Sequence, residues 1–448
     1  MEKLKFERPF IKKIVTGLPA KFGMKNRIEA LNAIDGLPVE HLMKEYGSPL
    51  FVLSEKTIRQ TISEAKLAFS TRYPLVQFAW SYKTNYLDAV CKIFHQEGSW
   101  AEVVSGFEYK KALLNGVPGS QIIFNGPGKS LEDLELAINN NSLIHLDHFD
   151  ELYMLADLSK KTHKKPKVAI RVNMDTGIYP QWDRFGFNYE NGEAWEALNR
   201  ILLNHHLDLV GLHTHIGTYI TTPSAYRVAA SKLANLVVEI RNKYNHAIQY
   251  IDMGGGFASQ NTLRGSYLQG YDAAPSFDEY ADAISSALIN SSIRPDSLPL
   301  LILETGRALI DNAGYLLTTV LANKRLADGR RATIIDAGVN ILFTSFWYDH
   351  TVSPTQFDND HTEETTIYGP LCMNIDVIRA AVVLPLVKKG DHLVIQRVGA
   401  YNMTQWLQFI TMRPNIVLID TQGKTHLIRK EESVDTIKQQ EQLPKHLE

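Results

Sequence analysis

The sequence is poor in cysteine, since only Cys91 and Cys372 occur among 448 residues. Two cysteines so far apart do not form the disulfide framework of a small secreted protein, so we expect a reducing, cytoplasmic environment. The first ten residues (MEKLKFERPF) carry charges throughout and lack the apolar core of a signal peptide. No apolar run approaches the roughly 18 residues of a membrane span, so we expect no membrane partner.

A large excess of charge of either sign is also missing. The 47 lysines and arginines nearly balance the 49 aspartates and glutamates, for a net charge of -2. A nucleic-acid-binding protein usually shows a basic patch or excess, so we predict no nucleic-acid partner. No fixed-period repeat is visible. The length suits a barrel of about 250 residues together with one further domain.

Eight short apolar runs recur between about residues 75 and 305, and each is followed by a polar loop and a helical stretch. Continuous apolar runs are typical of strands buried on both faces of a parallel sheet. The eight predicted strands are Val76–Trp80, Ala101–Val104, Gln121–Phe124, Leu143–Leu146, Lys167–Val172, Leu209–His213, Ile248–Met253 and Pro299–Leu303. Apolar residues at helical spacing predict helices over Leu131–Asn139 and Ala225–Tyr244, and Ser130 and Ser276 are candidate N-caps.

Eight alternating β and α elements predict an α/β fold, a (β/α)8 barrel of the TIM type. A doubly wound open sheet is the alternative that periodicity leaves open. From about Ala332 onward β-rich segments dominate and predict a mostly β C-terminal domain. They are Ala332–Ile335, Ala380–Leu384, His392–Gln396, Ile416–Ile419 and Thr425–Ile428. We therefore expect a barrel over residues 46–312 and a β-rich domain from residues 1–45 and 313–448.

Residues with chemical potential gather where the predicted strands end. Active sites of this barrel lie at the C-terminal ends of the strands, and six of the eight ends carry polar or glycine-rich positions. These positions are Lys83, Glu102, Arg171 with Asn173, His215, Gly254 to Gly256, and Glu304. This coincidence predicts an active site more strongly than any single motif does.

Lys83 follows the first strand, where partial burial would lower its pKa and make its amine a nucleophile; the alternative is a solvated lysine. Gly254, Gly255 and Gly256 let the backbone approach a phosphate, although a tight strand-to-helix turn explains them equally well. Phosphate sites in such barrels often follow strands seven and eight, which favours the phosphate interpretation.

The pair His213 and His215 could ligate a metal, but no other ligands cluster nearby in sequence, so we predict no metal. A ring stacked on a planar cofactor is the better function for His215, and a structural histidine the simpler one for His213. Glu304 at the end of an apolar strand needs a partner. A protonated pyridine nitrogen would serve, as would a salt bridge to Arg307 or Arg171.

Taken together, these residues resemble the fold-type III pyridoxal-phosphate (PLP) decarboxylases, the diaminopimelate/ornithine decarboxylase family. The resemblance covers about residues 45 to 410, with YKTN, SGFEY, RVN, HTHIGT, DMGGGF, ETGRALI, GPLC and GAY in family order. It implies PLP as the cofactor, a PLP-binding barrel with a C-terminal β domain that takes in N-terminal strands, and a homodimer with its sites at the interface. It also implies a decarboxylase that releases the α-carboxylate of an amino acid as CO2.

The resemblance assigns a role to each motif. Lys83 would hold PLP as a Schiff base, with Glu102 and Arg171 orienting it, His215 stacked on the ring and Glu304 at the pyridine nitrogen. The phosphate would meet Thr218, Gly254, Gly255, Gly256, Gly306, Arg307 and Tyr401. Cys372 would cross from the partner subunit to manage protonation, and Arg307, Tyr348, Cys372 and Met373 would lie near the substrate.

The sequence departs from the diaminopimelate decarboxylase pattern at two places. Met373 stands where C-E-S-G-D normally supplies a glutamate for the distal amine, and Thr344 and Ser345 lie where an arginine for the distal carboxylate is usual. A diaminopimelate-like substrate is therefore expected by family, with a specialised amino acid as a further possibility. An amino-acid racemase, a catalytically silent PLP-binding regulatory protein and a metal-dependent hydrolase are the alternatives.

Overall fold

The structure is a computed structural model that describes residues 28–357 and 361–447. Its described residues fall into two compact units. The barrel unit contains residues 59–259 and 272–309, and the β-rich unit contains residues 28–58, 260–271 and 310–447. The expectation for residues 1–27 lies outside the described residues, and the domain division at residues 46 and 312 stays a prediction.

The strands of the described residues are numbered along the chain. They are β1 (Ala33–Ile34), β2 (Leu37–Pro38), β3 (Leu50–Ser54), β4 (Val76–Ser81), β5 (Trp100–Val103), β6 (Ile122–Phe124), β7 (Leu143–Leu146), β8 (Lys167–Asn173), β9 (Phe187–Asn188), β10 (Asp208–His213), β11 (Tyr250–Asp252), β12 (Leu300–Leu303), β13 (Gly314–Arg325), β14 (Arg331–Ile335), β15 (Val352–Pro354), β16 (Thr362–Tyr368), β17 (Val377–Pro385), β18 (His392–Gln396), β19 (Ile416–Ile419) and β20 (Thr425–Arg429).

The α-helices of the same residues are numbered in the same way. They are α1 (Val39–Tyr46), α2 (Glu55–Ser70), α3 (Asp88–Gln96), α4 (Gly106–Leu114), α5 (Leu131–Asn139), α6 (Phe149–Thr162), α7 (Glu193–Asn204), α8 (Ser224–Tyr244), α9 (Gly270–Ala273), α10 (Phe277–Ile289), α11 (Arg307–Ile310) and α12 (Val434–Lys438). Among these residues no helix combines the length and the apolar character that crossing a membrane requires.

Eight parallel strands close into a barrel. The hydrogen-bonded order is β10-β11-β12-β4-β5-β6-β7-β8, and a further pairing of β8 with β10 completes the ring. Each of the eight predicted strands is present within one or two residues of its expected position at each end. The closed ring excludes the doubly wound alternative, because an open sheet would leave two edge strands.

The barrel interior is filled by side chains of alternating strand positions. One buried cluster contains Ala79, Ile123, Leu143, Ala169, Val210, Tyr250 and Ile302. Because successive strand residues point to opposite faces, the next inward position toward the C-terminal end lies two residues further on. In this chain several of those later inward positions are polar, and they build the site described below.

Helices α5 and α10 begin where the sequence predicts. The hydroxyls of Ser130 and Ser276 accept hydrogen bonds from the backbone N–H groups of Asp133 and Glu279, and both form complete capping boxes. Each cap satisfies N–H groups that the first helical turn leaves without partners, a contribution of about 1 kcal/mol. These caps confirm the predicted starts of both helices.

The β-rich unit contains a second sheet, whose strands come from separate parts of the chain. Its main path is β17-β16-β14-β13-β3-β19-β20, and β18 pairs with both β13 and β15. Strand β3 joins this sheet, antiparallel to β13 and parallel to β19. The five predicted β segments of the C-terminal region are all present, and the long strand β13 is an addition that the sequence pattern did not predict.

Candidate active site

The polar positions at the strand ends of the barrel unit come together as the sequence predicts for this fold. Lys83 follows β4, Glu102 lies in β5, Arg171 in β8, His215 after β10, Gly254 to Gly256 after β11 and Glu304 after β12. Parallel strands place all of these ends at one rim of the barrel. The site therefore draws its groups from six strands.

Lys83 and Glu102 form the central ion pair of the site. The amine Nζ of Lys83 lies 2.8 Å from Oε1 and 2.6 Å from Oε2 of Glu102. The carboxylate is fully buried, whereas 36% of the lysine side chain is exposed. Glu102 also accepts a hydrogen bond from the hydroxyl of Ser81. An amine in this setting is fixed by a buried acceptor and is still reachable from solvent.

Asn125, at the end of β6, was not predicted as a site residue. Its amide nitrogen Nδ2 donates to Oε1 of Glu102 at 3.1 Å and to Oε1 of Glu304 at 2.5 Å. One neutral side chain thus links the two carboxylates and spaces their charges. The sequence offers little signal for it, because an asparagine before a glycine and proline also suits an ordinary turn.

Glu304 is 4% exposed and lies beside histidines of the barrel interior. Its Oε2 is 3.5 Å from Nε2 of His213, whose ring packs 4.7 Å from the ring of His145. Burial holds the pKa of both histidines well below the ordinary range, so both are neutral. His213 is therefore a buried, neutral histidine close to Glu304, and neither of its ring nitrogens has a hydrogen-bond partner among the described residues.

These three side chains also form a possible cluster of metal ligands, since one donor atom from each lies within 4.8 Å of the others. His145 already uses its Nε2 in a hydrogen bond with the hydroxyl of Tyr250 at 2.9 Å. The pKa values of both rings are further lowered by cations nearby, Arg171 and Lys129. Use of Nε2 of His145 in the hydrogen bond with Tyr250 leaves only its Nδ1 to bind a metal ion.

The glycine turn after β11 is packed too tightly for any side chain. A Cβ at Gly254 would lie 2.6 Å from the carbonyl oxygen of Thr214, and at Gly255 it would lie 2.5 Å from that of Glu304. At Gly256 the closest atom would be the carbonyl oxygen of Gly217 at 2.3 Å, and φ is +96°. The turn therefore requires glycine for steric reasons within the protein itself.

This turn also orients His215. The N–H of Gly255 donates to Nδ1 of His215 at 3.0 Å, and the ring of Trp182 lies 5.5 Å from the imidazole. Burial lowers the pKa of His215 well below its ordinary value, so the imidazole is neutral. Its acceptor nitrogen is fixed by the backbone, and the half-buried ring keeps one orientation at the rim.

The turn after β12 carries Gly306 and Arg307. A Cβ at Gly306 would lie 2.0 Å from the hydroxyl oxygen of Thr84, so the chain after Lys83 packs directly on this glycine. Arg307 begins the short helix α11 and is 7% exposed. Thr218, by contrast, is exposed in the loop that follows β10.

Arg171 contacts groups other than the lysine it was expected to orient. Its Nη1 lies 3.5 Å from Oδ1 of Asp147, and its guanidinium stacks 4.4 Å from the ring of Phe185. Burial lowers the pKa of Arg171, and the negative charges of Asp147, Glu304 and Glu102 oppose that shift. Any influence of Arg171 on Lys83 would therefore be electrostatic.

Glu108 is a second residue that sequence reasoning missed. It lies in the first turn of α4, and its Oε2 accepts a hydrogen bond from the backbone N–H of Val104 at 2.8 Å. Burial, with the charge of Glu102 adding to it, raises the pKa of Glu108 to about 7. A glutamate in the first turn of a helix is common, so Glu108 in SGFEY gave no signal of a functional role.

The remaining predicted site residues belong to the β-rich unit. Cys372 is exposed and Met373 is half-buried. Their loop is fixed by Asp376, which accepts hydrogen bonds from the N–H groups of Val339 at 2.8 Å and Leu371 at 2.7 Å. Tyr401 has φ +63° and is half-buried.

Tyr348 and Thr344 occupy a short turn of the same unit. Tyr348 is 2% exposed and Thr344 is 1% exposed. The hydroxyl of Thr344 lies 2.9 Å from Oδ1 of Asn402 and 2.8 Å from Nε2 of His350. This threonine therefore has a structural role inside the unit.

The donor set of the barrel fits PLP, the cofactor that the resemblance implies. A buried acceptor fixes the amine of Lys83, as a group that captures an aldehyde needs. The buried carboxylate of Glu304 suits a protonated ring nitrogen, and the fixed neutral ring of His215 suits an aromatic face. Arg307 and the turn of Gly254 to Gly256 have the chemistry for a phosphate.

Comparison with known proteins agrees with this chemistry. The family described as "Pyridoxal-dependent decarboxylase, pyridoxal binding domain" matches residues 58–311. Diaminopimelate decarboxylase of Methanocaldococcus jannaschii is 30% identical over 92% of this chain and 95% of its own, and that of Bacillus subtilis is 28% identical over 90% and 93%. A crystal structure of the M. jannaschii enzyme in complex with L-lysine superimposes with a TM-score of 0.85, at 29% identity over 94% of this chain and 99% of its own. The chain therefore belongs to the pyridoxal-dependent decarboxylases and is a PLP-dependent carboxy-lyase.

Proposed function

We propose that this protein removes the α-carboxylate of an amino acid of the diaminopimelate type as CO2. The observation that carries the proposal is the continuous contact from Lys83 through Glu102 and Asn125 to Glu304. These contacts connect the amine of Lys83 to the buried carboxylate of Glu304. The relatives named diaminopimelate decarboxylase, one of them crystallised with L-lysine, support this substrate class. Lysine is what diaminopimelate becomes when it loses one carboxylate.

Lys83 is proposed to hold the cofactor through its amine. When bound, PLP supplies an aldehyde that captures amines and a protonated ring that accepts electrons. The nearby carboxylate of Glu102 accepts hydrogen bonds from the amine and can hold a proton that leaves it. Because Glu102 is fully buried and fixed by Ser81 and Asn125, it keeps the amine in one position.

Glu304 is proposed to bind the ring nitrogen and keep it protonated. A buried carboxylate favours a proton on its partner, since an unpaired buried charge is costly. This arrangement favours decarboxylation over racemisation, because related racemases tend to place an arginine at the corresponding position. His215 is proposed to stack on the ring, and Asn125 to keep Glu304 in place by its hydrogen bond.

The phosphate is proposed to meet the turn of Gly254, Gly255 and Gly256, together with Gly306 and Arg307. The tight packing of both glycine turns keeps side chains away from this part of the rim. Thr218 is exposed, and its hydroxyl suits the same anion. Arg307 adds a forked set of donors that matches a phosphate or a carboxylate.

We also propose a homodimer in which Tyr401 and Cys372 act at an active site of the assembly. Cys372 is exposed on a loop that Asp376 holds in place, so its thiol is available to return a proton to the substrate carbon. Tyr401 is proposed to reach the phosphate, and Met373 and Tyr348 to lie near the substrate. Both described cysteines are free thiols, which supports the cytoplasm as the compartment.

Recognition of the distal end of the substrate is proposed to differ from that of typical diaminopimelate decarboxylases. Met373 replaces the glutamate that would meet a distal amine. Thr344, where an arginine is usual nearby, is buried against Asn402 and His350 and has no free donor to offer a carboxylate. A specialised amino acid with the same α-carbon chemistry would satisfy these two changes.

The deciding experiment measures CO2 release by the full chain loaded with PLP. The substrates are meso-diaminopimelate and both enantiomers of ornithine, lysine and arginine, with Lys83→Ala as the matched control. We expect release from a member of this set, a yellow protein that borohydride bleaches, and loss of both in the variant. A colourless protein after incubation with PLP would contradict the cofactor assignment.

Two other outcomes correspond to the alternative functions. A protein that binds PLP and exchanges the α-proton of one enantiomer without releasing CO2 would be a racemase. A protein that binds PLP and leaves every tested amino acid unchanged would fit the silent regulatory role. Glu304 and the segment of Cys372 argue against the racemase. The intact set of proposed site residues argues against the silent protein, namely Lys83, His215, Glu304, Cys372 and Tyr401.

A further inference from the structure

A second carboxyl group lies behind Glu304 and takes no part in the function proposed above. Asp252, the last residue of β11, is fully buried. Strands β11 and β12 are parallel neighbours in which Asp252 pairs with Ile302, an inward residue of the barrel. Glu304 lies two positions beyond Ile302, so both carboxyl groups point into the barrel at successive levels.

The two oxygens of Asp252 have different surroundings. Oδ1 accepts a hydrogen bond from the N–H of Gly254 at 2.8 Å. Oδ2 has no N–H or O–H donor within reach among the described residues, and the carboxyl group of Glu304 lies beside it. Two acceptor oxygens facing one another without a proton would repel, and neither could turn to water at this depth.

Nearby cations do not supply a second countercharge, because each already has its own carboxylate. Lys83 pairs with Glu102, Arg171 with Asp147, and Lys129 with Glu151. The neighbouring rings of His213 and His145 are neutral, as described above. Because these three cations are already paired, none of them neutralises Asp252 or Glu304. One proton shared between the two carboxyl groups removes the repulsion between them.

The surroundings also indicate which residue holds the proton. Glu304 receives a hydrogen bond from the amide of Asn125, whereas Oδ2 of Asp252 has no donor among the described residues. Asp252 receives one hydrogen bond, and both burial and the charge of Glu304 raise its pKa well above the ordinary range. The charge of Glu102 also raises the pKa of Asp252, and Asp252 in turn raises the pKa of the Tyr250 hydroxyl, after the larger effect of burial.

We propose that Asp252 is a positioning residue that holds this proton and donates a hydrogen bond from Oδ2 to Glu304. The pair then carries one negative charge, located on the residue that we assign to the ring nitrogen of the cofactor. The inference rests on the proposed function for that assignment alone. In this arrangement Asp252 is a neutral carboxylic acid below the site, and it fixes both the position and the ionisation of Glu304.

The first measurement is 13C NMR of the full chain, with the carboxyl carbons of aspartate labelled, before and after addition of PLP. The signal that Asp252→Asn removes belongs to Asp252, and Asp252→Ser provides the same assignment if the asparagine variant does not fold. We expect the chemical shift of a protonated carboxyl group at pH 7 in both samples. The shift of an ionised carboxylate would overturn the proposal.

The second measurement compares variants by PLP affinity and by the pH dependence of the absorption spectrum of bound PLP. Asp252→Ala removes the donor, so we expect about tenfold weaker PLP binding and a shifted spectral profile. Asp252→Asn keeps a neutral donor and should restore the wild-type profile, whereas Glu304→Gln should not. An asparagine variant that behaves like the alanine variant would contradict a neutral Asp252.

Failure of the proposed function would be recognised separately. A wild-type chain that binds no PLP would disprove that function, and the NMR signal of Asp252 would still decide whether the carboxyl pair shares a proton. A wild-type chain that binds PLP while Asp252 is ionised would leave the cofactor assignment intact and refute this inference alone.

Discussion

The amide nitrogen of Asn125 lies 2.5 Å from Oε1 of Glu304, although the two residues follow strands that are not neighbours in the barrel. The contact crosses the interior from the end of β6 to the end of β12. A hydrogen bond to a buried carboxylate is worth more than one between neutral groups, because the charge has lost its water. Asn125 is thus a neutral donor that makes a buried acid tolerable.

Replacing Asn125 by alanine should therefore weaken PLP binding about tenfold, because Glu304 and Glu102 both lose a donor. Asn125→Asp should be worse, since a third carboxylate would join two that are already buried. Titration of the full chain with PLP, followed by fluorescence, measures both effects. Asn139→Ala on the exposed face of α5 is the control, and unchanged affinity in Asn125→Ala would refute this role.

The glycine turn after β11 offers a steric test. A Cβ at Gly255 would lie 2.5 Å from the backbone oxygen of Glu304, so Gly255→Ala must displace the strand end that carries this carboxylate. We expect a loss of about 1–3 kcal/mol in the free energy of unfolding and weaker PLP binding. Denaturant unfolding with and without PLP measures both quantities.

Gly128→Ala is the matched control for that substitution. A Cβ at Gly128 would meet no atom within 4 Å, and the residue is exposed in a loop of the same barrel unit. Its stability should stay within about 0.5 kcal/mol of the wild type. Equal losses in the two variants would show that the packing of the turn on Glu304 has no special importance.

The barrel was predictable because its strands are short apolar runs with chemistry at their ends. Each predicted run is a strand, since burial on both faces leaves a continuous apolar signal. The sequence did not predict that Leu50–Ser54 pairs with β13 and β19, because strand pairing across more than 250 residues has no local signature. The long strand β13 was missed because its second half is exposed and largely polar, which breaks the apolar signal.

The site was predictable where a residue type is unusual for its position. A lysine after an apolar strand and a glutamate at the end of another attract attention, and the structure places Lys83 beside Glu102 as expected for one site. Asn125 and Asp252 were missed because asparagine and aspartate are common in turns at strand ends. Their importance depends on the nearby carboxylate of Glu304, which lies across the barrel from Asn125 and at the end of the strand next to Asp252, and only the closed ring reveals both contacts.

Glu108 predicts a dependence of stability on pH. Its pKa is raised from 4.5 to about 7 by burial, so the native state binds this proton more tightly than the unfolded chain does. Between those two values the native state therefore carries more protons. Its free energy of unfolding should fall as pH rises through this window, at up to about 1.4 kcal/mol per pH unit.

Glu108→Gln removes this titration and keeps an oxygen that can accept the hydrogen bond from Val104. Compared with the wild type, the variant should lose less stability between pH 4.5 and pH 7, measured by denaturant unfolding at several pH values. Glu135→Gln on the exposed face of α5 is the control. Parallel curves for the wild type and Glu108→Gln would show that Glu108 is ionised across the whole range.

Met373 provides a test of substrate recognition. The side chain is half-buried on the loop that Asp376 fixes, next to the exposed Cys372. Met373→Glu would restore a carboxylate where typical diaminopimelate decarboxylases have one, and a charge-assisted hydrogen bond to a distal amine is worth about tenfold in binding. We expect kcat/KM for meso-diaminopimelate to rise by about that factor, with the gain in KM.

The neighbouring Asn374 supplies the matched control, because it is exposed on the same loop. Asn374→Glu adds the same charge one position away and should change kcat/KM little. If both variants gained equally, the effect would be a general attraction of the amine, which added salt would weaken. A loss of activity in Met373→Glu alone would indicate that the natural substrate presents an apolar group to Met373, and would direct the search to amino acids without a distal amine.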